Sequence, residues 1–171
     1  MRAGEVLQDG FGRVLPLLRA AVDGLSDEEL VHRPDPAANT VAWLVWHAAR
    51  VQDAQVAPLA GTQEVWTSAG WAERFGLDLP ADDTGYGHGP EEVGRVHAPA
   101  DLLVGYAEEV ARATAAYLER LEDDDLDVVV DEDGDPPVTL GVRLVSVLGD
   151  DLEHAGQAAY LRGLLERARE A

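Results

Sequence analysis

From Glu5 to Leu25, the apolar residues Val6, Leu7, Phe11, Val14, Leu15, Leu18 and Val22 recur at three- and four-residue spacing, which puts them on one stripe of a helix. Pro16 falls inside that stripe. It has no N–H to give to the preceding turn, so the helix is expected to bend there or to begin late. Ser26-Asp27-Glu28-Glu29 then reads as a capped short turn that ends before Pro34 and Pro36. Asn39 or Thr40 can cap a second helix through Val41-Ala42-Trp43-Leu44-Val45-Trp46-His47 to about Ala57, with Pro58 and Gly61 as its stop. Its start is apolar on more than one face, as in a helix buried inside a bundle.

Residues 61 to 98 carry Trp66, Trp71, Phe75, Pro80 and Pro90 with no sustained period, and a connection this long inside a domain is a crossover or a functional loop. Pro99-Ala100-Asp101 opens a third helix, whose stripe runs through Leu102, Leu103, Tyr106, Val110, Tyr117 and Leu121. Val128-Val129-Val130 before Asp133-Gly134-Asp135-Pro136-Pro137 is either a short strand with a turn or a linker. A fourth helix starts near Thr139 and carries Leu144, Val147, Leu148, Leu152, Ala155, Leu161 and Leu165. Helices near 5–25, 40–58, 100–121 and 139–168 predict an all-α, up-and-down four-helix bundle with a long crossover between the second and third, in one domain over 1–171.

Composition narrows the function classes. The chain has no cysteine, which excludes disulfides, thiolate ligands and a cysteine nucleophile. A formal net charge of −20 repels phosphate backbones, so no nucleic-acid partner is expected. No apolar run approaches the roughly 20 residues of a membrane span, and Met1-Arg2-Ala3-Gly4-Glu5 leads into a polar segment without a signal core, so a cytoplasmic protein is expected.

The candidate chemistry lies on helices two and four. Asp150 and His154, four residues apart, project from one face and can converge on one ion. His47 occupies the most apolar stretch of helix two, where burial favours the neutral imidazole a metal needs. Two imidazoles and a carboxylate would leave coordination positions open for water or substrate. An acid and a histidine at this spacing are also common on solvated helices. Gly149 and Gly156 flank the pair, however, and glycine inside a helix costs about 1 kcal/mol unless close backbone approach requires it. Arg50 and Asp53 read as an ion pair, with Asp53 a possible acceptor behind the site, and His88 and His97 as loop histidines that could line its mouth. Trp43, Trp46, Trp66 and Trp71 read as core rather than as a ligand wall. Asp151 and Glu153 point off the ligand face.

Two segments, Ala42-Trp43-Leu44-Val45-Trp46-His47-Ala48-Ala49-Arg50-Val51-Gln52-Asp53 and Asp150-Asp151-Leu152-Glu153-His154-Ala155-Gly156-Gln157, resemble the metal-site helices of the DinB-like superfamily. Thr84-Gly85-Tyr86-Gly87-His88 looks like the branch that contains mycothiol-dependent enzymes. The resemblance implies a DinB-like bundle with His47 and His154 as metal ligands and position 150 as the third. Aspartate stands at 150 where that family commonly has histidine or glutamate. The resemblance also implies a divalent metal, zinc or nickel first, and a transferase or isomerase that joins a low-molecular-weight thiol such as mycothiol to an electrophilic small molecule. A homodimer is a further implication. The alternative is a non-catalytic, metal-binding helical protein with a stress-related or binding role. No catalytic acid, base or cofactor-binding residue is assigned.

Overall fold

Pro16 leaves the Gly12 carbonyl without its intrahelical donor, and the first helix divides beside it. In the computed structural model, which describes residues 2–170, α1 (Ala3–Gly12) and α2 (Val14–Val22) are two halves of one rod. The short turn is α3 (Asp27–Leu30). Its Ser26 hydroxyl accepts the Glu29 N–H, and the Glu29 carboxylate accepts the Ser26 N–H, a reciprocal cap. Thr40 caps α4 (Val41–Ala60) by accepting the Trp43 N–H at 3.0 Å. α4 continues through Pro58, where a last-turn proline removes only one donor, and stops at Gly61, whose φ of +67° suits glycine.

The crossover, expected to lack regular structure, contains α5 (Val65–Ser68), α6 (Trp71–Phe75) and α7 (Pro90–Arg95). Each is too short to show a period. Trp66, Trp71, Phe75 and Val93 nevertheless bury their side chains in the main core. α8 (Ala100–Leu118) follows, then a 3₁₀ turn at Asp123–Asp127. An antiparallel hairpin of β1 (Val129–Asp131) and β2 (Val138–Thr139) leads into α9 (Leu140–Glu170). The valine run is therefore a strand and not a linker.

The fold is all-α apart from that hairpin, a DinB-like bundle of four rods, and their arrangement corrects one expectation. α9 packs on α2 and α4, and α8 packs on α4 and on both halves of the first rod. The first rod and α4 thus stand across the diagonal, not side by side as in an up-and-down bundle. The long connection from Asp23 to Thr40, with its α3 turn and Pro34 and Pro36, is what spans that diagonal. Between the rods, one apolar cluster surrounds the first half of α4, and a second gathers Leu7, Phe11, Val56, Leu118 and Leu144 at the other end. Gly149 and Gly156 do not mark close backbone approach: nothing stands within 4 Å of a Cβ at either.

Candidate metal centre

Every residue from Thr40 to Arg50 is buried, so α4 delivers His47 into a dry environment. Burial holds the His47 pKa below the ordinary histidine value. The Thr84 carbonyl pulls it up, and the neighbouring His154 lowers it further. His47 Nδ1 lies 2.5 Å from the Thr84 carbonyl oxygen. A carbonyl only accepts, so Nδ1 carries the proton and donates, leaving the Nε2 lone pair for the opposite side. Trp43 stacks on the His47 ring, centroids 4.4 Å apart and planes 12° apart.

The loop that carries Thr84 is clamped by Trp43, expected only as core, by His88, expected to line the site mouth, and by Asp83, which the sequence did not single out. Trp43 Nε1–H, which can only donate, donates to His88 Nδ1 at 3.1 Å. His88 is therefore protonated on Nε2, which donates to Asp83 Oδ2 at 3.0 Å. The other Asp83 oxygen accepts the Gly85 N–H at 2.7 Å. Gly85 has φ +88°, and a Cβ there would stand 2.7 Å from His47 Nδ1 and 3.0 Å from Trp46. Only glycine lets this backbone lie against the imidazole. His88 is thus a buried positioning residue, not a solvated loop histidine, whereas His97 and His32 are exposed.

On α9, Asp150 Oδ1 lies 3.5 Å from His154 Nε2. Burial alone would raise the Asp150 carboxyl, but the His154 hydrogen bond and the charges of His154 and His47 outweigh it and hold it below the usual carboxylate value. The Asp150 hydrogen bond in turn raises His154, against its own desolvation. His47, Asp150 and His154 come together between α4 and α9, each offering a ligand atom, and these atoms all lie within 4.8 Å of one another. Asp150 Oδ2 and His154 Nδ1 are buried without a hydrogen-bond partner among the described residues. Buried polar atoms normally have partners, and two imidazoles with a carboxylate are donor types that hold a divalent cation, so this donor set fits one.

Arg50 and Asp53 do not form a surface pair. Both are buried, 3.7 Å apart, and tie the crossover to α4. Arg50 donates to the Asp83 carbonyl at 3.1 Å and pairs with Glu64 at 2.9 Å. Asp53 accepts the N–H groups of Val65 and Trp66 and the Tyr106 hydroxyl. All four tryptophans are core, as expected. Asp151 points into the core and Glu153 into solvent. A cavity of about 240 Å³ opens on His47 and Asp150, with Thr84, Tyr86, Gln55 and Arg143 on its walls. A larger groove of about 490 Å³, at Asn39, Glu153 and Tyr160, holds none of the three clustered groups. Chemistry, not size, singles out the smaller one.

Four rods with two imidazoles and a carboxylate converging between the second and the fourth define a helical-bundle protein with a three-donor site able to hold a metal ion. The chain belongs to the mycothiol-S-transferase family, whose model it matches over residues 6–167. The fold is similar to the crystal structure of a conserved protein from Enterococcus faecalis, 34% identical, covering 95% of this chain and 96% of that one with a TM-score of 0.88. No curated protein matches the chain.

Proposed function

We propose that this protein is a divalent-metal-dependent S-transferase that joins a low-molecular-weight thiol, mycothiol in the first instance, to an electrophilic small molecule, with His47, Asp150 and His154 as the metal ligands. The observation that carries this reading is the convergence of those groups, two of them with buried, unpartnered atoms, in a chain of this family. His47, Asp150 and His154 would hold a divalent ion, which when bound would supply a Lewis acid that lowers the pKa of a thiol. Imidazole and carboxylate donors favour zinc or nickel.

The residues on the page supply the rest. The Thr84 carbonyl fixes the His47 tautomer and orientation. Asp150 gives the site one negative charge, and Trp43 and Trp46 keep water off its α4 side. The chain has no thiol of its own, in keeping with a sulfur supplied by a cosubstrate. The protein would act in the cytoplasm, where such thiols are kept reduced. Among the described residues, no helix is long and apolar enough to cross a membrane. Val142, Val145 and Leu152, exposed at one-turn and two-turn intervals on α9, support a homodimer through that face.

The test is metal analysis of the purified protein followed by thiol-consumption assays with mycothiol and electrophiles. About one divalent ion per chain is expected, with loss of metal and of activity in His47→Ala and His154→Ala. Unchanged metal content in either variant removes the ligand assignment. Asp150→His restores the commoner ligand of the family and should keep or raise affinity; a loss of binding would mean aspartate serves there in another way.

A further inference from the structure

Arg143 stands two turns before Asp150 on α9, so the two side chains share a face about 10 Å apart along the axis. Both line the 240 Å³ cavity, and Arg143 is the one arginine or lysine on its walls. In a chain of net charge −20, this places a cation, itself paired with Asp131, at one end of a cavity whose other end carries His47 and Asp150. The guanidinium is held in place: Nη1 donates to Gln55 Oε1 at 2.8 Å and Nη2 to Asp131 Oδ2 at 2.8 Å. An arginine has five N–H donors, so three remain for a ligand, in the planar fork that matches a carboxylate. The cavity, about 240 Å³ and open to solvent on one side, has room for a small organic acid beside the three clustered groups.

We propose that Arg143 anchors a carboxylate on the electrophilic substrate, so that the second substrate is a small organic acid that spans the cavity from Arg143 to the metal centre. The assignment rests on the thiol-transferase reading above. Mycothiol carries no carboxylate, which places the anion on the other reactant. Gln55 and Asp131 orient the fork, and Asp131, on β1, makes the hairpin part of the binding site.

The test compares crotonate with its neutral isostere crotonamide, titrated by calorimetry or by NMR into metal-free protein so that carboxylate–metal ligation plays no part. Crotonate should bind about tenfold tighter, the scale of one charge-assisted pair. Arg143→Gln should erase that preference while metal content and melting temperature stay close to wild type. Asp131→Asn, which releases the guanidinium from its internal counter-charge, should keep or widen it. Equal affinity for the two ligands in the wild type, or an unchanged preference in Arg143→Gln, overturns the proposal. So does an equal loss in Arg143→Gln and Asp131→Asn, because Arg143 would then serve only to staple the hairpin to α9. Since the titration omits metal, a protein that fails to bind zinc or nickel would end the transferase reading without touching this result.

Discussion

One peptide bond separates Asp150, which faces two imidazoles, from Asp151, whose fully buried carboxylate has neither oxygen partnered among the described residues. Burial, with the charge of Asp150 added, pushes the Asp151 carboxyl well above the usual range. Its folded pKa thus exceeds the unfolded value near 4, and at a pH between the two the folded state holds a proton the unfolded chain has lost. Its contribution to stability is fully present below about pH 4 and falls away as pH rises toward the folded pKa. Asp151→Leu should stabilise the metal-free protein by about 1–3 kcal/mol at neutral pH, with a gain that shrinks toward pH 4; urea unfolding across that range checks both. Nothing in the fold explains why an aspartate stands there. Gly85 is the opposite case, a residue fully accounted for by its φ of +88° and the contact with His47. Gly85→Ala should cost about 1–3 kcal/mol and weaken metal binding by shifting the imidazole, read by melting temperature and by zinc titration.

At the scale of elements, the crossover is held by a buried network of charges as well as by apolar burial. Asp53 caps α5 with two backbone N–H bonds and takes the Tyr106 hydroxyl at 2.8 Å. Burial raises its pKa, while those donors and Arg50 pull it down. Arg50, wholly buried, reaches from α4 to the Asp83 carbonyl, one residue before the carbonyl that fixes His47. Removing one partner from such a network leaves the other charge stranded. Asp53→Ala is expected to cost about 3–5 kcal/mol and to expose residues 61–98 to limited proteolysis before the four rods unfold. Simultaneous loss of rods and crossover would show that this network holds the whole bundle. Helix starts and stops were readable from Ser26, Thr40 and Gly61, because caps are local chemistry. The three crossover helices were not, because one turn gives no period to detect.

For the whole molecule, a net charge of −20 means self-repulsion that salt screens. The melting temperature at neutral pH should rise by several degrees between about 0.01 M and 0.5 M sodium chloride, where the Debye length falls from ~30 Å to below 10 Å. A flat response would mean that the charges are already paired or balanced by bound cations. The same screening would favour the homodimer proposed through α9, so sedimentation should show more dimer in high salt if that interface forms. A monomer at high concentration in 0.5 M salt removes that interface.

The sequence by itself determined the four rods, the caps and the identity of the three clustered groups. Amphipathic period and capping are properties of neighbouring residues, and Asp150 and His154 share a helix face by spacing alone. It also showed that His47 belongs to the driest helix. What only the tertiary structure decided are the relations between distant segments. His47 meets a carbonyl 37 residues away, Trp43 meets His88 across 45, and Arg143 meets Gln55 across 88. The diagonal placement of the first rod and α4 belongs with these. It depends on how a long connection crosses the end of the bundle, and no periodicity within a helix encodes which neighbour its buried face will meet.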